Sequence, residues 1–319
     1  MTAYKEVKGV NIQKLSADPP APIEGQVWYN TTSGALKGLK FNSGSWSTGG
    51  DLNTARQELA GAGTQTAALA FGGLGPLPQA AESYNGTSWT NIDTLNTGRR
   101  SLAGAGTQTA GLAFGGESPG AAFETKTETY NGSIWTEVND LNTGRERLAG
   151  AGASNTSALA FGGFAPGDTV ATESWNGTNW TEVNNLNTAR KALGGAGTLT
   201  SALAFGGEDP VGIAITESWN GTNWTEVNDL NTGRYVLGSA GTDNTSALAF
   251  GGTPPATAVT ESWNGTNWTE VGDLITARKY LAGAGSNTAA LGFGGYAPGF
   301  TTATEEFDAG PATVSFGDA

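Results

Sequence analysis

The 319-residue sequence predicts an all-β fold of six consecutive four-stranded units, and three recurrences carry that prediction. Phe-Gly-Gly begins at Phe71, Phe114, Phe161, Phe205, Phe250 and Phe293, with spacings of 43, 47, 44, 45 and 43 residues. Thr-Ala-Arg or Thr-Gly-Arg ends at Arg56, Arg99, Arg145, Arg190, Arg234 and Arg278. A Glu stands at Glu82, Glu128, Glu173, Glu217, Glu261 and Glu305. Self-similarity at a fixed period marks a repeat architecture, and no unit has the 3.6-residue apolar period of a helix.

Within a unit, the first strand is the LAGAGT that starts at Leu59 and its equivalents. It is almost all small residues, as an inner strand crowded around an axis requires. The second, AALAFGG, is apolar on both faces and is expected to lie buried between neighbouring sheets. The Gly pair ends it by permitting a turn that a Cβ would hinder. The third, TESWNG, alternates polar and apolar with period two, the mark of a half-buried strand. Asn-Gly then turns the chain into the fourth, TNWTEV, a strong hairpin signal. A polar link, DLNTAR, leads to the next unit.

Four strands per ~44 residues, repeated six times, is a six-bladed β-propeller with four-stranded antiparallel blades. The pattern resembles the kelch family. A Gly-Gly pair follows an apolar strand, then comes an aromatic at Tyr84, Tyr130, Trp175, Trp219 or Trp263. Five residues later there is a Trp at Trp89, Trp135, Trp180, Trp224 or Trp268. The resemblance spans about residues 36–316. It implies a propeller. The recurring Arg and Glu read as structural apart from that resemblance: a position filled identically in every unit is what a blade needs, and an Arg near the start of the inner strand can pair with the Glu of the third strand.

The sixth unit is degenerate: Phe307, Asp308, Ala309, Gly310 and Thr313 stand where Trp-Asn-Gly and Trp are expected. Near the N-terminus, Phe41 to Trp46 repeats the aromatic-to-Trp spacing of five. Residues 36–48 are therefore expected to supply the outer strand of the sixth blade, removing an open edge. A seventh, incomplete blade is the alternative. Residues 1–35 remain as a short N-terminal arm in which GQVWYNTTSGALK, from Gly25 to Lys37, reads as two strand-like stretches around a polar turn. That segment resembles tail-fibre and other structural proteins of tailed bacteriophages, particularly those of marine hosts.

Composition removes most catalytic chemistry. With no His and no Cys there is no disulfide, zinc finger, Ser-His-Asp triad or Cys-His dyad. The ligands of kelch-type copper oxidases are likewise missing. NGTNW also lacks the Asp of sialidase Asp boxes. The net charge of −13 argues against nucleic acid as a partner, because phosphate binding needs clustered cations. Residues 1–48 carry a net +2, which leaves −15 for the remainder, so a mildly basic arm precedes an acidic body. No stretch approaches the ~18 apolar residues of a membrane span, and the first twenty residues lack the apolar core of a signal peptide. Folding in a cytoplasm and no membrane insertion are the expectations.

Variation between units is the better guide to function, because a residue filled identically in every unit is what a blade needs. The links after Gly-Gly differ: LGPLPQAA from Leu74, ESPGAAFETK from Glu117, FAPGDTVA from Phe164, EDPVGIAI from Glu208, TPPATAV from Thr253 and YAPGFTTA from Tyr296. They are expected on one rim beside the DLNTAR links, a constant scaffold presenting a variable face. Candidate binding residues there are Phe123, Phe164, Asp168, Glu208, Asp209, Tyr296 and Phe300. The aromatics can stack on a sugar ring or pack over the blade tops. Asp168, Glu208 and Asp209 are oxygen ligands of the kind Ca²⁺ takes, but without a dedicated loop spacing. No metal site, no cofactor and no catalytic residue is assigned. The resulting expectation is a non-enzymatic virion structural or attachment protein. Residues 1–35 would dock onto other virion proteins, and the variable rim would face a host-surface glycan. The alternatives are a free carbohydrate-binding propeller and a polysaccharide-cleaving enzyme built on two rim carboxylates.

Overall fold

A computed structural model describes residues 12–20, 26–41, 43–120 and 123–316. The chain divides into two compact units, residues 44–308 and residues 1–43 with 309–319. The arm therefore extends to residue 43 rather than 35, and it takes the C-terminal strand with it. The reason is pairing: Ala35–Phe41 bonds to Val27–Asn30 on one side and to Pro311–Phe316 on the other. Of the arm expected over 1–35, residues 1–11 and 21–25 lie outside the described residues.

The smaller unit is one sheet in the order Gln13–Leu15, Val27–Asn30, Ala35–Phe41, Pro311–Phe316, with only the first pair parallel. The polar turn Thr31–Gly34 joins its two central strands, as the segment from Gly25 to Lys37 suggests. Asp18 ties this sheet to the preceding loop by accepting bonds from Asn30 Nδ2 (2.7 Å), Lys37 Nζ (2.9 Å) and Trp28 Nε1 (3.0 Å). Those bonds, Asn30's first, hold its carboxyl at about 2.

The larger unit is all-β among its described residues: six four-stranded antiparallel sheets in the blade arrangement of a β-propeller. The first sheet shows the plan, with Ala60–Thr64, Ala67–Phe71, Ala81–Tyr84 and Trp89–Asn91 in sequential order. Gly and Ala in the innermost strand answer a steric demand. A Cβ on Gly104 would lie 2.7 Å from Gly61 O and 2.6 Å from Phe71 Cζ, closer than any side chain tolerates. Ser239 is the one larger residue at this position.

The second strand is buried on both faces, as its composition demands. Leu69 and Phe71 join a core with Tyr130 and Trp135 of the next sheet, while Ala68 and Ala70 join Leu291 and Phe293 of the sixth. Each interface carries one Phe–Trp contact. Phe71–Trp135, Phe114–Trp180, Phe161–Trp224, Phe205–Trp268, Phe250–Trp46 and Phe293–Trp89 all have ring centroids 4.9–5.0 Å apart. The sixth–first interface is thus built like the others. Trp46 fills the Trp position missing from the sixth unit. Its strand Ser45–Thr48 pairs with Thr304–Asp308, Trp46 opposite Phe307. The outer strand comes from residues 45–48 and not from the whole of 36–48.

In five interfaces the outer Trp donates its indole N–H to a Thr hydroxyl on the preceding sheet, at 2.9–3.2 Å: Trp46 to Thr260, Trp89 to Thr304, Trp180 to Thr127, Trp224 to Thr172 and Trp268 to Thr216. At the remaining interface Ala81 occupies the Thr position, and Trp135 Nε1 is buried without a partner. A buried donor left unmade costs free energy, so Ala81→Thr is expected to stabilise the protein by about 1 kcal/mol. A rise of about 2–4 °C in melting temperature would register it; an unchanged or lower Tm would contradict it.

Candidate functional site

The repeated Arg and Glu are scaffold. Every pair is buried within its own sheet: Arg56–Glu82 (3.1 Å), Arg99–Glu128 (2.7 Å), Arg145–Glu173 (3.1 Å), Arg190–Glu217 (2.6 Å), Arg234–Glu261 (3.0 Å) and Arg278–Glu305 (2.9 Å). The guanidinium also donates to carbonyls near the end of the second strand and just before the third, as Arg56 does to Ala70 O and Ala80 O. The Glu in turn receives the backbone and side-chain N–H groups of the link Asn, as Glu82 does from Asn53. Ile275 replaces that Asn in the sixth unit, so Glu305 receives only its backbone N–H, and the isoleucine is exposed. Burial pushes all six Arg below their usual value, opposed by the Glu beside each.

Directly after each buried Arg comes a dipeptide that differs in every unit: Gln57-Glu58, Arg100-Ser101, Glu146-Arg147, Lys191-Ala192, Tyr235-Val236 and Lys279-Tyr280. Its first residue forms a two-residue bridge to the first residue of the variable link after Gly-Gly: Gln57 with Leu74, Arg100 with Glu117, Glu146 with Phe164, Lys191 with Glu208, Tyr235 with Thr253 and Lys279 with Tyr296. The two variable segments of every unit are therefore joined by backbone bonds on one face, the rim the sequence anticipates.

The second residues of those dipeptides converge at the axis. Ser101 donates its N–H to Glu58 O, Arg147 to Ser101 O, Ala192 to Arg147 O, Val236 to Ala192 O, Tyr280 to Val236 O and Glu58 to Tyr280 O, at 2.8–3.0 Å. The bonds form a closed cycle. All six residues have φ between 49° and 58°, a left-handed conformation that costs an L-residue about 1–2 kcal/mol. Glycine would relieve that strain, yet the chain places Glu, Ser, Arg, Ala, Val and Tyr there. Strain kept at the expense of stability points to a use for the side chains. Together with the leucines following them (Leu59, Leu102 and their equivalents) they line a small cavity of about 90 Å³, open on one side.

Charge is gathered here as well. Of the eleven Lys and Arg in residues 44–308, six are in the buried pairs, and Arg100, Arg147, Lys191 and Lys279 belong to the variable dipeptides. Arg100 contacts Glu117 (2.9 Å) and Glu58 (3.6 Å). Lys191 pairs with Asp168 (3.2 Å) and lies 4.9 Å from the centre of the Phe164 ring. Lys279 lies 5.5 and 5.7 Å from the Tyr280 and Tyr296 rings.

The anticipated residues fall into two groups. Phe123 meets Phe164 at 5.7 Å, beside Asp168 and Lys191. Tyr296 and Phe300, both exposed, meet at 6.4 Å beside Lys279. Glu208 joins Lys191 through the backbone, while Asp209 is exposed, its N–H bonded to Val211 O. Asp168, Glu208 and Asp209 do not form a Ca²⁺ cage: among the described residues no group of three or more acidic side chains is placed to hold a metal. The sequence reading overlooked the axial residues Glu58, Ser101, Arg147, Ala192, Val236 and Tyr280. Their signal was a variable dipeptide between an invariant Arg and an invariant Leu. Among the described residues no helix is long and apolar enough to cross a membrane. No protein-family model matches the chain, and neither does any curated protein.

Proposed function

We propose that the protein is a non-enzymatic structural and attachment protein of a tailed-bacteriophage particle, built on a kelch-type propeller. The variable face is its binding surface for a host-surface glycan, and residues 1–35 dock it onto other virion proteins. One observation carries the binding part of this reading: side chains that differ from unit to unit are concentrated on one face, over a scaffold that repeats pair for pair. Aromatic rings beside Lys and carboxylates, as at Phe164 and Tyr296, are the chemistry that holds sugars by stacking and hydrogen bonding. The particle part rests on the resemblance of the segment from Gly25 to Lys37 to phage structural proteins. Peptide mass spectrometry of purified particles is expected to find this chain at structural copy number. Its absence from particles would leave only the second reading, a free carbohydrate-binding propeller, which the same exposed aromatics Tyr296 and Phe300 favour.

A further inference from the structure

The axial ring is divided in two. Going round the cycle, Glu58, Ser101 and Arg147 make a polar arc, and Ala192, Val236 and Tyr280 make an apolar one. The backbone N–H groups of all six are consumed by the cycle itself, so selectivity at this mouth belongs to side chains. Glu58 is already occupied: it accepts from Ser101 Oγ at 3.1 Å and lies 3.6 Å from Arg100 Nε. Arg147 is not. Its Nε is buried without an acceptor, and the nearest paired carboxylate oxygen, on Glu146, is 3.9 Å away. Burial pushes the Glu146 carboxyl up, against the pull of Arg147. Glu58, Arg147 and Tyr280 all line the same small cavity.

We infer that this axial mouth binds the carboxylate-bearing end of an acidic saccharide, with Arg147 taking the carboxylate and Tyr280 covering the apolar face of the sugar ring. The inference rests on the proposed function in taking this face as the glycan surface, and it adds a ligand class and a place. A guanidinium with free donors presents the fork that matches a carboxylate. A cationic sugar would meet Arg147 without compensation, because Glu58 is engaged elsewhere. The cavity is about 90 Å³ and open on one side, well below the ~300–1,000 Å³ of pockets that enclose a whole ligand, so it admits one edge of a terminal residue and not a run of chain.

The test is an NMR titration of the full chain with methyl glucuronide and methyl glucoside, probes that differ only in the carboxylate. The glucuronide is expected to bind at least tenfold tighter. Arg147→Gly should abolish that preference while melting no lower than the parent, because Gly relieves the left-handed backbone at this position. Tyr280→Gly should weaken both sugars. Equal affinity for the two probes, or a preference that survives Arg147→Gly, overturns the inference and leaves the wider glycan reading standing. If neither probe binds, the inference falls; if host-surface polysaccharide also fails to bind, the glycan part of the proposed function falls with it.

Discussion

Trp46→Ala is expected to destabilise the propeller unit by about 3–5 kcal/mol, the range for truncating a large buried aromatic. Trp46 is 7% exposed, lies 4.9 Å from Phe250 and 5.2 Å from Phe307, and donates to Thr260. The other five outer Trp residues sit on strands that a short Asn-Gly turn ties to the strand beside them. Ser45–Thr48 has no such tether, since its partners are Thr304–Asp308 at the far end of the propeller sequence. Its docking rests on four residue pairs, this indole, and the bonds of Gly49 and Leu52 to Thr304 O and Thr302 O that follow the strand. Once it lifts away, Thr304–Asp308 becomes an open edge that invites pairing with other chains. Urea unfolding of Trp46→Ala beside Trp180→Ala checks the point. The first should lose more stability and aggregate more readily, whereas equal losses would mean that the strand is held by something other than its side chain.

Breaking one buried ion pair should cost as much. In Arg190→Met the Glu217 carboxylate stays behind, fully buried, with the Asn187 and Thr188 N–H groups but no cation. Removing one partner of a buried pair costs about 3–5 kcal/mol, mostly from the charge left uncompensated. The carbonyl of Ala204, which accepts from Arg190 Nη2, loses a donor as well. Replacing both residues, Arg190→Met with Glu217→Gln, should therefore cost less than the single Arg change. Chemical denaturation of the two variants reads this directly; a double variant less stable than the single one would mean that the pair is not the source of the loss. Because desolvation is the larger influence on each of these arginines, the pairs contribute orientation more than net stability. They hold a carbonyl at or just past the end of the second strand in all six units, and the link Asn in the five units that have one.

The six blades, the four strands in each, the small inner strand and the Arg–Glu pairing were all legible in the chain. Each is a local pattern that the period near 44 residues repeats until it is unmistakable. The rim location of the links from Phe164 and Tyr296 followed from the same pattern. The axial ring was not legible, although Glu58, Ser101, Arg147, Ala192, Val236 and Tyr280 were in plain view. Residues 43 to 46 apart in sequence, and in the closing step Glu58 and Tyr280, meet only when six sheets are arranged side by side, and a position that differs in every unit looks like a tolerated link until its backbone proves strained. The boundary at residue 43 escaped for a related reason, because the partner of Ala35–Phe41 is a strand nearly three hundred residues away.

The sequence by itself determined the blade, since strand periodicity, the Asn-Gly turns and the crowding tolerated only by Gly and Ala are properties of neighbouring residues. Tertiary structure alone decided which surfaces of successive blades converge, that Trp46 lies between Phe250 and Phe307, and that one donor, Trp135 Nε1, is left without a Thr. Those outcomes depend on contacts across interfaces, where the free energy belongs to pairs of residues that no local pattern connects.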